Sequence, residues 1–236
     1  MTEPTLIEEV PSRAMVIIPH PDDGEISCGG TVARWAQAGC EVVFVLCTNG
    51  DKGTNDELTT SAQLIPVREE EQRNAAKVLG VKEVVFLGHA DGELEDDRQF
   101  RGELVSEIRR HTPDVVFCFD PYRRNHAHRD HRISGQAALD AIFPYARDRL
   151  HFPEILLELG LEPHKVLTIY LWGADEPDSY VDITGHLDAK VKSLEAHVSQ
   201  VGHRDVGEFI EARAKTVGEA VNVSYAEAFR RITMRG

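Results

Sequence analysis

The chain has 236 residues, 42% of them hydrophobic, which suffices for one substantial core and fits a single α/β domain over 1–236 better than two small ones. Its net charge of -14 and pI near 5.2 set up a field that repels phosphate backbones and anionic lipids, so neither nucleic acid nor a membrane is an expected partner. Residues 1–11 hold three Glu and no apolar run, and no later segment reaches spanning length, so we expect a cytoplasmic protein.

Nearly continuous apolar runs predict strands that are covered on both faces. They lie at 14–18, 42–47, 84–87, 115–119 and 166–171. Helical patterns separate them, at 31–38, 67–79, 103–110 and 133–143. This alternation predicts a three-layer α/β sandwich with a mostly parallel sheet. Cys47 and Cys118 fall inside two of the strands, and the chain has no C-x-x-C pair, so its four cysteines indicate core thiols in a reducing compartment.

The C-terminal part of the chain predicts a further strand at 180–184, then helices near 186–200 and 208–230. We therefore expect a core over about 14–200 followed by a helical segment over about 203–230. Two irregular stretches, 51–65 and 145–165, are longer than ordinary connections. The first follows the second strand, at the sheet edge where ligands bind in open α/β folds, which makes it a candidate substrate lid.

Two clusters of polar residues each follow a predicted strand. His20-Pro21-Asp22-Asp23-Gly24-Glu25 comes directly after the first strand, and His128-Arg129-Asp130-His131 lies just beyond the fourth. In a helical turn, the two histidines of the second cluster share one face and can reach a common centre. Strands one and four flank the switch point in one common doubly wound order, so we expect the two clusters to meet.

Two imidazoles and one carboxylate, with water in the remaining position, form a typical catalytic metal site. We take His20, Asp23 and His131 as the ligand set. The pattern Pro-Asp-Asp-Gly is also good turn chemistry, and a single His-x-x-His pair is common on protein surfaces. The two clusters together, rather than either one alone, therefore indicate a metal site.

This ligand set leaves Asp22 and His128 beside the metal without a ligand role. Hydrolysis needs such residues, since a base must take a proton from water and an acid must supply one to the leaving amine. We expect Asp130 to orient His128 and raise its pKa. A spare base and a spare acid favour a catalytic metal over a structural one.

The first cluster with Gly29-Gly30-Thr31 behind it, and His128-x-Asp130-His131 downstream, resembles the LmbE-like (PIG-L-like) N-acetylglucosaminyl deacetylases. The resemblance spans roughly residues 14–200. Its further matches are 48–51, Arg68 with Glu71, 75–76, 87–88 with 91–92, and 180–183 with His197 and Gln200. It implies a Rossmann-like fold, one zinc on the same three ligands, Asp22 as general base, and His128 as the residue that stabilises charge and protonates the amine.

The resemblance also implies substrate contacts. Arg68 and Asp91 match positions that contact sugar hydroxyls, although an exposed helix arginine paired with Glu71 or Gln72 is the alternative for the first. Some members carry a Tyr that binds the oxyanion where this chain has His126, so His126 is a further candidate. The chain also departs from many members at Gly24, where they carry Glu, with its own Glu25 one residue later.

The sequence thus predicts a zinc-dependent hydrolase that removes an N-acetyl group from a small amino-sugar or glycoconjugate substrate. Two histidines and a carboxylate also describe Fe(II) oxidoreductases, and a non-catalytic metal-binding module is a second alternative. Fe²⁺ or another divalent metal could replace zinc. A nucleotide-dependent dehydrogenase is excluded, because no G-x-G-x-x-G follows the first strand. The oligomeric state is left open, with a homo-oligomer among the alternatives.

Overall fold

A computed structural model describes residues 4–202 and 204–234. The described residues form eight strands and eight α-helices, and a π-helical segment, Ala141–Ala146, continues the fourth helix. In chain order the elements are β1 Thr5–Leu6, β2 Arg13–Ile18, α1 Asp23–Gln37, β3 Glu41–Thr48, α2 Ser61–Leu79, β4 Glu83–His89, α3 Arg98–His111, β5 Val115–Phe119, α4 Arg129–Asp140, α5 Pro153–Leu159, β6 Thr168–Trp172, β7 Ser179–Asp182, α6 Leu187–Glu195, α7 Val198–Val201, α8 Gly207–Glu219 and β8 Ala226–Thr233.

The strands join in one sheet, in the order β1-β7-β8-β6-β5-β2-β3-β4. Every neighbouring pair is parallel except the two that involve β8, which runs antiparallel to both β6 and β7. The mostly parallel sheet that the sequence predicts is therefore confirmed.

The centre of the sheet is β2, which pairs with β3 on one side and with β5 on the other. The chain leaves β2 toward β3 and β4 and later returns to its other side with β5. This reversal is the topological switch point, and open α/β sheets bind ligands at such a point, outside the carboxyl ends of the strands. The two polar clusters follow β2 and β5, so the structure brings them together there as predicted.

Helices cover both faces of the sheet, because successive side chains of a buried strand point to opposite faces. Val16 and Ile18 of β2 pack in the core beneath α1 and α2, whereas Met15 and Ile17 pack against α3 and α4. The three-layer arrangement is thus confirmed. All four cysteines are buried and free of disulfides.

Several predicted boundaries move. The predicted helix at 31–38 is the end of α1, which begins at Asp23 within the first polar cluster. The helix predicted from 67 starts at Ser61, after a capping box formed by Thr60 and Gln63, and Pro66 lies inside it. Helix α5 lies within the predicted irregular stretch 145–165, whereas 51–60 is irregular as expected.

The predicted C-terminal helical segment is wrong in its second half. Helix α8 ends at Glu219, and the chain then forms β8, which is inserted between β6 and β7. The charged residues of this strand, Glu227, Arg230 and Arg231, conceal it in the sequence, since buried strands ordinarily read as apolar runs.

The buried carboxylate of Glu227 explains why this strand carries a charge. Helix α1 is broken at Cys28 (φ -138°, ψ 16°), and the backbone N–H groups of Gly30 and Thr31 beyond the break donate to Glu227 at 3.0 and 2.7 Å. The Lys190 ammonium, also buried, donates to the same carboxylate. Glu227 therefore caps the second half of α1 from across the molecule.

Replacing Glu227 by Leu should destabilise the protein strongly, because the change leaves Lys190 as an unpaired buried charge. We expect the free energy of unfolding, measured in urea, to fall by about 3–5 kcal/mol. Glu41, whose partner Lys82 is solvent-exposed, provides the control, and Glu41→Leu should change stability little. Equal effects of the two variants would contradict the capping role.

Candidate metal and active site

The first cluster sits where β2 ends and α1 begins. His20 follows the strand directly, and Asp22 is the N-cap of α1 with a left-handed backbone (φ 95°, ψ -26°). Its carbonyl oxygen accepts the Ile26 N–H at 3.1 Å, which starts the helix. The next residue, Asp23, turns back and accepts the backbone N–H of His20 at 3.0 Å. Two adjacent carboxylates thus leave the chain in different directions.

Two of the three predicted ligands, His20 and His131, converge on a carboxylate oxygen of the third, Asp23. Asp23 Oδ2 lies 3.1 Å from His20 Nδ1 and 3.1 Å from His131 Nε2. Burial alone raises the pKa of Asp23, but the hydrogen bonds from His131 and His20 outweigh it and hold the pKa below its usual range. The predicted ligand set is therefore assembled at the switch point.

The other nitrogen of His20 faces two more carboxylates. His20 Nε2 lies 3.0 Å from Asp130 Oδ2 and 3.2 Å from Asp91 Oδ1. Burial lowers the pKa of His20, but hydrogen bonds with Asp130, Asp23 and Asp91 outweigh it and raise the pKa to about 11. Negative charge therefore surrounds His20 on both sides.

The expected pairing of Asp130 with His128 is not what the structure forms. Asp130 is fully buried and accepts the backbone N–H groups of Gly92 and Leu94 at 2.6 and 3.3 Å, which turns its carboxylate toward His20. A carboxylate on the second nitrogen of a histidine is the arrangement that fixes the ring of a metal ligand. Asp130 therefore orients His20 rather than His128.

His128 lies beside the converging donors, at the N-cap of α4. Its ring centroid is 4.5 Å from that of His20 and 5.0 Å from that of His131. The prediction of a raised pKa is also corrected: burial and the neighbouring imidazoles lower the pKa of His128, and these effects outweigh the attraction of Asp130. A less basic imidazole gives up its proton more readily.

Asp22 has different surroundings from Asp23. Its Oδ2 lies 3.2 Å from Arg68 Nη2. Burial and the adjacent Asp23 carboxylate raise the pKa of Asp22 to about 7, against the opposing effect of Arg68. A carboxyl group with a pKa near neutrality suits a general base.

The three candidate substrate contacts occupy different environments. Arg68 is buried, so the exposed-helix alternative is wrong, and its guanidinium also donates to the carbonyls of Gly50 and Pro21 at 2.9 and 2.6 Å. Asp91 borders His20 and is partly exposed. The His126 ring lies tilted against Phe119, with 4.5 Å between the ring centroids, and its buried Nε2 has no hydrogen-bond partner among the described residues.

A group of buried polar residues lies next to Asp22, and the sequence predicted no functional role for its members. Gln72 and Glu25 are fully buried, and Gln72 bonds both to Glu25 and to the backbone of Asp22. His197 is equally buried, with its Nε2 3.6 Å from Glu25 Oε2. A signal exists in the spacing of Arg68 and Gln72, because residues i and i+4 share one helix face.

The donors fit a divalent metal. Among the residues that the structure describes, side chains with one ligand atom each and mutual distances within 4.8 Å form two groups, His20 with His128 and His131, and His20 with Asp91 and Asp130. Neither group contains Asp23, but Asp23 Oδ2 contacts His20 and His131 of the first group, so the predicted set of two imidazoles and one carboxylate lies together. The alternative group, centred on His20 Nε2, holds one imidazole and two carboxylates.

A mostly parallel α/β sheet with donors for a divalent metal at its switch point, and further titratable side chains beside them, is an arrangement suited to metal-assisted hydrolysis. A family model described as PIG-L, GlcNAc-PI de-N-acetylase, matches residues 15–142. The chain belongs to the PIG-L family of metal-dependent deacetylases, and its relatives named as deacetylases are amide hydrolases.

None of the helices in the described part of the chain combines the length and the apolar character that a membrane span needs.

Relatives agree with this class. The chain is 32% identical over 222 residues to diacetylchitobiose deacetylase of Thermococcus kodakarensis, covering 92% of this chain and 82% of that one. It is 30% identical over 236 residues to 1D-myo-inositol 2-acetamido-2-deoxy-alpha-D-glucopyranoside deacetylase of Mycobacteroides abscessus, covering 83% and 84%. The solved N,N'-diacetylchitobiose deacetylase of Pyrococcus horikoshii superposes with a TM-score of 0.89 at 32% identity, covering 94% and 84%. These relatives support a hydrolase over the Fe(II) oxidoreductase alternative.

Removing the Asp130 carboxylate should weaken metal binding without removing a ligand, because His20 loses the partner that fixes its ring. We expect Asp130→Ala to lower zinc affinity by about 10- to 100-fold in a competition titration with a fluorescent chelator. His128→Ala is the comparison and should keep wild-type affinity, since the predicted ligand set does not include His128. The corrected role of Asp130 is wrong if its variant binds zinc as tightly as the wild-type protein.

Proposed function

We propose that the chain is a zinc-dependent N-deacetylase that removes the acetyl group from an amino sugar of the N-acetylglucosaminyl kind. The observation that carries this proposal is the convergence of His20 Nδ1 and His131 Nε2 on Asp23 Oδ2, at 3.1 Å each, beside a second carboxylate that neither histidine binds. The relatives named above act on acetylated amino sugars, which supports the substrate class.

One zinc ion per chain would be held by His20, Asp23 and His131. When bound, zinc supplies Lewis acidity, which polarises the amide carbonyl and lowers the pKa of a water molecule. Asp130 holds His20 in the orientation that directs Nδ1 toward this centre and leaves Nε2 for the carboxylates behind it. The site is mononuclear in this proposal, because three ligands leave room for water and substrate.

Asp22 is the proposed general base. It accepts a proton from the attacking water as the water oxygen bonds to the carbonyl carbon of the substrate. A pKa near 7 leaves much of this carboxyl group ionised at neutral pH and makes it basic enough to take the proton. Arg68 contacts the same carboxylate and steadies it in place.

His128 is the proposed acid. Its ring lies against His20, on the side of the site where α4 begins. From there it can donate a proton to the amide nitrogen of the substrate as the bond between that nitrogen and the carbonyl carbon breaks. The products are acetate and a free amino sugar. His126 is proposed to contact the developing oxyanion, which would engage its unpartnered Nε2.

Asp91 is proposed to bind a sugar hydroxyl from the partly exposed side of the site. Its carboxylate points at His20, and the Asp91 backbone N–H donates to Asp51 at 2.8 Å, which fixes the residue. A substrate contact by Arg68 has weaker support, because its guanidinium is buried and already donates to Asp22 and to two backbone carbonyls. The loop over 51–60 is proposed as a lid, since it begins with Asp51, which accepts the Asp91 backbone N–H, and follows β3 at this edge of the sheet.

The function is tested by acetate release from N,N'-diacetylchitobiose and from free and conjugated N-acetylglucosamine. Zinc-loaded protein should release acetate from at least one of these compounds, and the chelator-treated protein should release none until zinc is restored. Absence of release from the whole panel by zinc-loaded protein would contradict the proposal.

Replacing Asp22 and replacing Asp23 should have different effects on zinc content and on kcat. Asp22→Asn keeps the size of the side chain but cannot accept a proton, so it should retain zinc and lose about 10²- to 10⁴-fold in kcat. Asp23→Ala and His131→Ala remove ligands and should lose zinc as well as activity. Zinc content and kcat are measured on the same preparations. An Asp22→Asn protein that is metal-free, or fully active with metal bound, would overturn the assignment.

A further inference from the structure

The left-handed backbone of Asp22 is held from helix α2. Arg68 Nη2 donates to the Pro21 carbonyl at 2.6 Å, and the Asp22 N–H donates to Gln72 Oε1 at 3.2 Å. Arg68 and Gln72 lie one turn apart on the same face of α2. They hydrogen-bond to the carbonyl and to the N–H of a single peptide unit, the one that joins Pro21 to Asp22. This peptide sets the φ angle of 95° at Asp22, a conformation that is uncommon for a residue with a Cβ.

The direction of the Gln72 amide is dictated from both sides. A backbone N–H can only donate, so an oxygen must face Asp22. The amide nitrogen then points the other way, and it donates to Glu25 Oε1 at 2.7 Å. A carboxylate oxygen accepts, so both neighbours require the same orientation of the amide.

These two hydrogen bonds form a buried relay that runs from Glu25 through Gln72 to the Asp22 backbone. Gln72 and Glu25 are both 0% exposed, so solvent does not offer either one a replacement partner. Glu25 Oε2 faces His197 at 3.6 Å, which is longer than a hydrogen bond, and has no hydrogen-bond partner among the described residues. The hydrogen bond from Gln72 is therefore a principal contact of the Glu25 side chain.

We propose that Gln72 is a positioning residue for the reaction, which acts by holding the Asp22 peptide in its left-handed conformation, and that Glu25 sets the direction of the Gln72 amide. The inference rests on the proposed role of Asp22 as general base. Without the hydrogen bond to Gln72, Asp22 can relax to a negative φ, which turns its carboxylate away from the reacting water. Asp23 and the two ligand histidines keep their contacts, so metal binding is unaffected.

The test uses substitutions that separate hydrogen bonding from volume. Gln72→Leu should lower kcat by about 10- to 100-fold, with KM and zinc content near the wild-type values, since a displacement of about 1 Å has effects of this size. Glu25→Leu should behave alike, because the amide then loses its second partner. Glu25→Gln should retain most of the activity, since its amide oxygen can still accept from Gln72. Equal loss in the two Glu25 variants would overturn the relay.

Glu71 provides a matched control on the same helix. It is also buried, and it accepts the backbone N–H and hydroxyl of Ser199 at 2.7 and 2.6 Å, away from Asp22. Glu71→Leu should lower the melting temperature at least as much as Gln72→Leu while leaving kcat near the wild-type value. A similar fall in kcat for both variants would mean that Gln72 acts only through stability.

A double substitution distinguishes action through Asp22 from an independent effect. If Gln72 acts by placing Asp22, adding Gln72→Leu to Asp22→Asn should cause no further loss in kcat. A multiplicative loss would overturn the positioning role. If Asp22→Asn alone is fully active, the proposed base fails as a separate result.

Crystal structures decide the inference even if no tested compound is a substrate. The wild-type protein should show Asp22 at a φ near 95°, and Gln72→Leu should show it at a negative φ, with Asp23 unmoved. An unchanged left-handed Asp22 in the variant would contradict the proposal, whatever the protein hydrolyses.

Discussion

The left-handed backbone at Asp22 is the constraint on which the site depends. It lets two consecutive carboxylates contact different partners: Asp23 turns back to His20 and His131, and Asp22 faces Arg68. A positive φ at a residue with a Cβ costs about 1–3 kcal/mol and persists when the surroundings hold it. Here the surroundings are Arg68 and Gln72 on α2, which join a backbone angle to the chemistry of the site.

The electrostatics follow from this geometry. His20 is surrounded by the carboxylates of Asp23, Asp91 and Asp130, in a chain whose net charge is already -14. Concentrating negative charge in a buried crevice is unfavourable unless cations offset it, which explains the raised pKa of His20 and favours a divalent metal. The pKa values of the two adjacent carboxyl groups therefore differ. The histidines hold the pKa of Asp23 low, while burial and the Asp23 carboxylate raise the pKa of Asp22.

The sequence predicts those features that depend on short-range pattern. Apolar runs identify the strands β2 and β5, and their adjacency at the switch point brings the two clusters together as expected. Contacts that depend on long-range packing are not visible in this way. Asp130 reaches His20 because the backbone at Gly92 and Leu94 turns it there, and Glu227 sits in a strand because α1 breaks at Cys28. Neither arrangement leaves a periodic signal, and the i, i+4 spacing of Arg68 and Gln72 places them on one helix face without showing that this face meets the Asp22 peptide.

The central claim is that His20, Asp23 and His131 hold one metal while Asp22 stands beside it unligated. Crystals grown with zinc, measured with X-rays just above and just below the zinc absorption edge, test it most directly. The account predicts a single anomalous peak per chain, bounded by His20 Nδ1, Asp23 Oδ2 and His131 Nε2, at about 2.0–2.2 Å from each. A peak between His20 Nε2, Asp91 and Asp130, or one bound to Asp22, would contradict it.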